Sequence, residues 1–452
     1  MRAQHLKFLS YIPDNLPAGY VRIQAIHFRG NTITKEKIMD RELTLHVGDS
    51  ILAKELQGEL QFNVRRLLNL QLFSTVKYSV RLVQSDQIEI TYEVTEVLYW
   101  IARPIFSLAD RNFNVWLIEQ HHNFNRTNYG ATITRHNFRG RNEELSGTLQ
   151  LGYNKLFEFS YRIPYIDKKL RQGIGFSASY ATGEEVNYIT TRNKLKFFHH
   201  EHYPYERMYG MLHYLYRKAY ATSHEVQLAY HKYEITEELH EKNPDFLGGP
   251  LRVKYMELNY IFQYNNTDVR VYPTNGFDVK LIASKKGFGF NQAINRFDLI
   301  SQSSFYYRLA TDWSLSWVFR GRLSFPQKQP YFINRALGFK NEYVRGYEYY
   351  VIDGGHYGLL RTNLRYKIID RVLHQNRFRI LKHIPVRVYG KLFDDLGYAY
   401  NEFPGTSFLN NRMLNGYGAG VDIMVSYYAR LRIEYSFNHL NQNGLFLHGS
   451  KE

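Results

Sequence analysis

The stretch WSLSWVFRGRLSF, Trp313 to Phe325, alternates large apolar residues with small or charged ones along its whole length. A period of two residues predicts a β-strand that has one apolar face and one polar face. Segments of about ten residues with this alternation continue from Val97 to the end of the chain. Turn residues, such as Pro273-Thr274-Asn275-Gly276, separate them, and helical periodicity almost vanishes. This long part of the chain is therefore predicted to be all β.

Composition narrows the class of protein. The chain has 452 residues, a net charge of +16, and 16% aromatic residues. It contains no apolar run of the roughly 18 residues that a transmembrane helix needs, which excludes helical membrane spans. Two classes remain: a large soluble all-β protein and a transmembrane β-barrel, whose lipid-facing and lumen-facing residues alternate so that hydropathy averages out. Aromatic residues near the segment ends favour the barrel, since such rings sit at membrane interfaces.

A strand that spans a bilayer must have all its backbone polar groups paired, so the barrel has to be closed. At about 22 residues for each strand and its loop, the stretch from 97 to 452 corresponds to roughly sixteen antiparallel strands. A soluble β-propeller would instead show a signature repeated every 40 to 50 residues or so. No such repeat is present in the sequence. The fold class predicted is a transmembrane antiparallel β-barrel.

Residues 20–96 differ from the rest and predict a small α/β domain of order β-α-α-β-β. Thr34 is the predicted N-cap of a first helix, KEKIMDREL. The other predicted elements are the strand YVRIQAIHF, a second helix from about Ala53 to Asn69, and the strands STVKYSVRLV and QIEITYEVTE. Residues 1–19 are interpreted as a lead or linker without the apolar core of a secretory signal. For an outer-membrane protein, this indicates a mature form or a chain that lacks a larger amino-terminal part.

Few residues predict chemistry. The chain has no cysteine, which excludes disulfides, thiolate metal sites and a cysteine nucleophile. The histidine groups His121-His122 and FFHHEH (Phe197 to His202) are interpreted as solvated residues at strand ends, so no metal site is predicted. No nucleophile motif or phosphate loop is present, and we expect neither an enzyme nor a cofactor. Basic residues are spread along the strands, which favours contacts with lumen and lipid headgroups over nucleic acid.

The small domain resembles a POTRA domain, the periplasmic module of the BamA and TamA outer-membrane assembly factors. Any small α/β module is the plainer alternative, and only one such domain is visible. The matching residues are Ile26 and Phe28 before Gly30-Asn31, then Gly48-Asp49, Leu72-Phe73 leading into Val76, and the strand-closing Glu93 and Glu96.

The stretch YVRGYEYYVIDGGHYG, Tyr343 to Gly358, carries a second resemblance. Its V-R-G-Y, made by Val344, Arg345, Gly346 and Tyr347, resembles the arginine motif on the long loop six of BamA-type proteins. The resemblance implies that this loop, residues 326–358, folds into the barrel. It further implies that Arg345 meets Asp395 on the inner wall, in a motif that reads F-x-D-x-G and ends at Gly397. Bidentate pairing with a carboxylate requires arginine rather than lysine.

The sequence departs from the BamA pattern at one position. Arg365, in LLRTNLRYKI, stands where the BamA branch usually carries a glutamate. The resemblance therefore implies that a second acidic partner of loop six is missing, with Asp394 and Glu348 as candidate substitutes. The stretches LADRNFNVW, NYGATITRHNFRGRNE and EYSFNHLNQNGLFLH resemble short, single-POTRA members from the Bacteroidetes.

The resemblance implies an outer-membrane protein, with its POTRA domain in the periplasm, that inserts, assembles or translocates other proteins. Unfolded clients would dock by adding a strand to the edge Ser74 to Val83, where Thr75, Val76, Tyr78 and Val80 are the candidate residues. A lateral seam would lie between a first strand near Trp100 to Asp110 and a short last strand near Gly444 to His448. Accessory lipoproteins, a passenger domain and outer-membrane lipids are the other expected partners.

A dedicated export pore, or a membrane anchor for one partner or passenger domain, is the alternative function. A passive diffusion porin is disfavoured, because porins lack both a POTRA domain and the arginine of loop six.

Overall fold

The structure is a computed structural model that describes residues 10–108, 116–117, 121, 124–200, 202–288, 293–374, 383–425 and 429–450. Most of the predicted stretch LADRNFNVW lies outside these residues, as do Asp110, His122 and Glu201. The chain forms two compact units. One consists of residues 1–101, 133–145 and 161–174, and the other of residues 102–132, 146–160 and 175–452.

The amino-terminal part of the first unit is a four-stranded sheet with helices. The long helix turns an apolar stripe toward the core, since Leu56, Leu60, Val64 and Leu67 are buried. The sheet order is β2-β1-β4-β3, and β1 runs parallel to β4. One short strand, β2, was not predicted from the sequence. The elements are β1 (Tyr20–Arg29), α1 (Glu36–Asp40), β2 (Ser50–Leu52), α2 (Ala53–Leu68), β3 (Phe73–Leu82) and β4 (Gln87–Glu96).

The prediction that Thr34 caps the first helix was wrong. The helix α1 begins at Glu36, and its N-cap is Lys35. Thr34 turns to Glu96 instead: its hydroxyl and its backbone N–H donate to Glu96 Oε1 at 2.5 Å and 2.6 Å. The Thr32 hydroxyl donates to Oε2 of the same carboxylate at 2.7 Å. Hydrogen bonds to a charged carboxylate are stronger than the bond that a neutral hydroxyl would accept as a helix cap. Glu96 therefore holds this turn.

We expect the turn to loosen in acid. Burial by itself would raise the pKa of Glu96, but the hydrogen bonds from Thr34 and Thr32 hold it below its usual range. A pKa that is lower in the folded state gives stability above the unfolded value of about 4.3, and this stability is lost as the pH falls through the folded pKa. The protection factor of the Thr34 amide, by which its hydrogen exchange is slowed relative to an unstructured peptide at the same pH, should therefore fall below about pH 4. In Glu96→Gln the protection factor should be lower and should not change over this pH range; equal protection factors in both proteins at every pH would contradict this role.

The carboxy-terminal part forms an antiparallel sheet of sixteen strands, as predicted. The sheet order runs from β24 at one end to β5 at the other, and each strand lies beside its neighbour in the chain apart from two inserted pairs, β10–β11 and β18–β19. The strands are β5 (Trp100–Leu108), β6 (Thr127–Phe138), β7 (Glu143–Gly152), β8 (Asn154–Ile163), β9 (Gln172–Gly183), β10 (Glu185–Thr191), β11 (Lys194–His199), β12 (Tyr205–Tyr216), β13 (Thr222–Ile235), β14 (Arg252–Asn265), β15 (Gly276–Lys286), β16 (Arg296–Arg308), β17 (Trp313–Phe325), β18 (Arg335–Leu337), β19 (Ile352–Asp353), β20 (His356–His374), β21 (His383–Tyr400), β22 (Met413–Val425), β23 (Ala429–Asn438) and β24 (Asn443–Ser450). A short helix, α3 (Glu237–Lys242), and 3-10 turns at Phe124–Arg126 and Tyr331–Ile333 complete the elements.

The strand β17 shows an inverted burial pattern. Its large apolar side chains face outward, with Phe319 41% and Leu323 51% exposed, whereas Ser316 and Ser324 are fully buried. A soluble protein would bury the apolar face, so this alternation indicates a barrel whose outer face lies in lipid. The predicted fold class, a transmembrane antiparallel β-barrel preceded by a small α/β domain, is confirmed.

No helix within the described ranges combines the length and the apolar character that a membrane span requires.

Candidate functional site

Loop six connects β17 to β20 through residues 326–355 and carries the short pair β18–β19. The last residues of its predicted span, 356–358, belong to β20 instead. Its apolar residues pack against the wall strands in one buried cluster, which joins loop residues to residues of β20, β21 and β22. The buried members are Ala336, Leu337, Val344, Tyr347, Ile352, Leu359, Ala399, Leu409 and Leu414.

Arg345 and Asp395 meet, as the resemblance implied. Arg345 is 2% exposed and Asp395 is fully buried. The guanidinium binds the carboxylate in bidentate geometry, with Nε–Oδ2 at 2.9 Å and Nη2–Oδ1 at 2.5 Å. The backbone N–H of Arg345 also donates to Oδ2, at 3.1 Å. Lysine has no second donor group in this plane, so it could not reproduce the pairing.

The third nitrogen of the guanidinium binds two further wall strands. Arg345 Nη1 donates to Asn363 Oδ1 on β20 at 2.7 Å and to Glu434 Oε1 on β23 at 3.1 Å. The guanidinium also lies over the ring of Phe393, at 3.9 Å from the ring centre, a favourable cation–π contact. We call Arg345, Asp395, Asn363, Glu434 and Phe393 the clasp. It connects loop six to three strands of the barrel wall.

The inference that a second acidic partner is missing was wrong, because Glu434 takes this place. Among the described residues, neither candidate substitute forms a hydrogen bond or an ion pair with Arg345. Asp394 is exposed and accepts a hydrogen bond from Asn415 at 2.7 Å. Glu348 is buried, and its carboxylate lies 3.8 Å from His448 Nε2 on the last strand. The second acidic partner therefore comes from β23, which is distant in sequence from loop six.

Arg365 contacts the turn between β14 and β15. Its guanidinium lies over the ring of Tyr272, at 4.5 Å, and its Nη1 donates to the carbonyl of Pro273 at 3.3 Å. Tyr272 is buried in the turn between β14 and β15, and its hydroxyl donates to Asp422 Oδ2 at 2.8 Å. Arg365 thus holds this turn against the inner wall.

A buried ion network extends from the clasp. Lys391 Nζ lies 2.7 Å from Glu434 Oε1 and 2.6 Å from Asp422 Oδ1. Both carboxylates and the lysine are almost completely buried. Buried charges are tolerated only when they are paired, so Glu434 balances Lys391 and Arg345 at once.

Two glycines allow loop six to approach the wall. Gly346 has a φ of +89°, and a Cβ there would lie 2.9 Å from the carbonyl oxygen of Phe437. A Cβ on Gly397 would lie 2.3 Å from Val344 Cγ2. Any larger residue would push the loop away from the wall. Tyr347, the last residue of V-R-G-Y, donates from its hydroxyl to the Asn415 carbonyl at 3.2 Å.

The candidate docking strand β3 lies at the edge of its sheet. The side chains of Val76, Tyr78 and Val80 are buried in the core, so only their backbone groups face the edge. The side chain of Thr75 bonds to Thr95 at 2.9 Å. The edge itself is not open, contrary to what was expected for a docking strand. Tyr11 donates its N–H to the Tyr78 carbonyl at 3.1 Å and accepts from the Val80 N–H at 3.0 Å.

No cluster of three or more histidine, aspartate and glutamate side chains that could hold a metal ion occurs among the described residues. The predicted groups at His121 and Phe197 to His202 include His122 and Glu201, which lie outside them.

The fold and the clasp together define a class: outer-membrane β-barrels that hold loop six inside by a buried arginine. Comparisons with known proteins agree with this class. Residues 137–444 match the Omp85 superfamily domain. Residues 21–97 match POTRA, described as a surface antigen variable number repeat. No protein of curated function matches the chain significantly in sequence.

Several solved structures share the fold at low sequence identity. BamA from Haemophilus ducreyi, lacking POTRA domains 1–3, has a TM-score of 0.54 at 16% identity and covers 95% of this chain and 84% of its own. CdiB from Escherichia coli has a TM-score of 0.59 at 9% identity, with 95% and 76% covered. CdiB from Acinetobacter baumannii has a TM-score of 0.54 at 12% identity, with 95% and 73% covered.

Because the superfamily domain spans more than half of the chain, this protein belongs to the Omp85 superfamily. It is an outer-membrane β-barrel with a periplasmic POTRA domain, and its general role is the insertion or secretion of proteins at that membrane.

Proposed function

We propose that this protein is a BamA-like factor that inserts and assembles client proteins in the outer membrane. The observation that carries the proposal is the clasp, which joins loop six to β20, β21 and β23 through one buried arginine. A simple pore needs no such buried charge, which is costly unless every donor is paired. A fixed loop six keeps the inner wall rigid beside the last strand while that strand exchanges partners.

The lateral seam would lie between β5 and β24, the two ends of the strand order. The last strand has 8 residues, whereas β20 has 19. Fewer ladder bonds hold a short strand, so this junction would open before any other. An arriving client strand would take up the free backbone groups, and burial of the client in the bilayer would drive the reaction without ATP or a catalytic residue.

Clients would first meet the POTRA domain at β3, by strand addition. Since Tyr11 already binds this edge, docking requires exchange: the client displaces the amino-terminal segment and inherits its two backbone hydrogen bonds. Unfolded outer-membrane or exported proteins are the clients that fit this chemistry, because such recognition makes little demand on side chains. Accessory lipoproteins, a passenger domain and outer-membrane lipids complete the proposed partners.

Depletion of the protein in its native organism, followed by outer-membrane proteomics, tests this function. Loss of many barrel proteins at once supports assembly of general clients. Loss of one exported or surface protein alone would instead support the alternative, a dedicated export pore or anchor. An unchanged outer-membrane proteome would contradict both.

Tyr11→Pro should make the docking edge easier to occupy. Proline removes the N–H that binds the Tyr78 carbonyl, and the Tyr11 side chain is 62% exposed, so the core is not disturbed. One lost hydrogen bond of about 1 kcal/mol predicts about fivefold tighter capture of an extended client peptide. Peptide binding to the detergent-solubilised protein measures this, and Tyr20→Ala, another exposed tyrosine outside this contact, is the control. Weaker capture by Tyr11→Pro would show that the segment recruits clients rather than competing with them.

A further inference from the structure

Three connections of the barrel meet at one small cavity. They are the β10–β11 hairpin, loop six, and the connection of residues 401–412 between β21 and β22. They follow the fifth, eleventh and thirteenth strands of the sheet, so antiparallel alternation places them at the same end. This end is opposite to the one at which the chain enters from the periplasmic POTRA domain, and it therefore faces the cell exterior.

Hydrogen bonds through Asn193 join these three connections. Asn193, at the tip of the hairpin, is fully buried. Its Nδ2 donates to the Val351 carbonyl at 2.9 Å and to Ser407 Oγ at 2.8 Å. Its Oδ1 accepts from the backbone N–H groups of Phe408 and Leu409 at 2.9 Å and 3.2 Å. Every polar group of this side chain is used, so the three connections form one structure around the cavity.

The cavity has a volume of about 150 Å³ and is lined by oxygen-bearing side chains. Three of them, Asn334, Asp353 and Asn410, each have a buried Oδ1 atom that accepts no hydrogen bond. The amide of Asn410 cannot simply be reversed, because its Nδ2 already donates to the Asp353 backbone carbonyl at 2.8 Å. Buried acceptors without a donor are rare and costly. Three such acceptor atoms around one cavity indicate that a cation or a hydrogen-bond donor occupies it.

The charge at the cavity favours a cation over a neutral donor. Asp353 is the one charged side chain among its lining residues within the described part of the chain. Its cross-strand partner Arg335 attracts it, but no close ion pair joins the two among the described residues, and the Arg335 Nη2 faces Asn187 Oδ1 at 3.5 Å. Carboxylate and amide oxygens with flexible geometry suit calcium better than magnesium, which requires a strict octahedron.

We propose that these loops bind a calcium ion, with Asp353, Asn334 and Asn410 as ligands through their Oδ1 atoms. The Tyr331 and Thr190 hydroxyls, which lie 3.1 Å apart at the same cavity, would orient water molecules that complete the coordination. One carboxylate gives weak binding, with a Kd of about 0.1–1 mM, as in extracellular calcium modules. The ion would fasten loop six to the 401–412 connection on the outer side.

Trypsin cleavage of the full-length protein in detergent tests the site. Arg192 and Lys194 flank Asn193 and are exposed, so cleavage there reports local opening of the three connections. Calcium that binds only the closed form lowers the open fraction by the factor 1 + [Ca²⁺]/Kd, so about 10 mM CaCl2 should slow cleavage about tenfold or more relative to EGTA. The same concentration of MgCl2 should slow it much less.

Two variants decide between a built site and general effects of calcium. Asp353→Asn should abolish the protection while leaving cleavage in EGTA no faster, since the amide keeps the shape of the carboxylate. Asp245→Asn, which changes an exposed carboxylate on another connection, should keep the full protection. Equal protection of all three proteins would mean non-specific calcium binding, and no protection of any would mean that the cavity holds only water. Either result would overturn the proposal without touching the proposed assembly function.

Discussion

Arg345→Ala is expected to destabilise the packing of loop six against the barrel wall by about 3–5 kcal/mol, the usual effect of removing one partner from a buried ion pair. The Asp395 carboxylate would keep the backbone N–H of residue 345 and, as a charged partner, the more distant Arg361, whose Nε lies 3.7 Å away. Loop six should become sensitive to protease, and client assembly should fall. The strand ladder does not depend on this contact, so the barrel should still show heat-modifiable migration on gels.

Variants of the same pair separate charge from geometry. Asp395→Ala should resemble Arg345→Ala, and the double variant should be clearly less damaging than the sum of both, because each change breaks one shared contact. Arg345→Lys should recover little, since lysine keeps the charge but loses the bidentate pairing. Arg412→Ala, which removes an exposed arginine directly before β22, is the matched control. Additive effects of the first two changes would mean that the residues do not act as a pair.

The barrel could be predicted from the sequence because its signal is local. In Trp313 to Phe325 every second residue faces lipid, and the structure reproduces this alternation along β17. The number of strands follows from the length of the chain once the class is known. The strand β2 was missed for the opposite reason: three residues are too few to show a period.

Contacts between distant segments were predictable only where a motif marked both partners. Arg345 and Asp395 each lie in a recognisable motif, although 50 residues separate them. Tyr11 lies in no such pattern, and its pairing with β3 rests on two backbone hydrogen bonds that any residue can make. Thr34 shows a local rule overridden by a distant residue, since its hydroxyl donates to the Glu96 carboxylate and does not accept from an N–H at the start of the helix.

The sequence did not predict Glu434 as the second acidic partner of Arg345, because its position on the wall depends on how the strands pair. The stretch LRIEYSFNH predicts a strand in which Glu434, Ser436 and Asn438 share one face. Alternation tells which face is inward, but it does not give the height of a residue on the wall. That height depends on the register of β22 with β23, where Gly420 pairs with Glu434. Only the assembled sheet brings this carboxylate to Arg345, 89 residues away.

Glu434→Ala is therefore expected to weaken loop six about as strongly as loss of Arg345, by about 3–5 kcal/mol. The change leaves Arg345 and Lys391 with one carboxylate each, Asp395 and Asp422, in a buried site that also receives Arg432. Four cations, those of Arg345, Lys391, Arg432 and Arg361, would then face the two carboxylates of Asp395 and Asp422. Glu434→Gln keeps an acceptor for Arg345 Nη1 and should lose less, about 1–3 kcal/mol.

Protease sensitivity of loop six and client assembly measure this effect, in parallel with Asp394→Asn. Asp394 was a candidate partner from sequence, but it is exposed and bonds to Asn415, so its change should stay within about 0.5 kcal/mol. The variant pair Arg345→Ala and Glu434→Ala should show coupling, because the two side chains share a hydrogen bond. If Asp394→Asn loosened loop six and Glu434→Ala did not, the second acid of the clasp would lie on β21 and not on β23. Loop six would then be held by two neighbouring strands alone, and the last strands of the barrel could move independently of it.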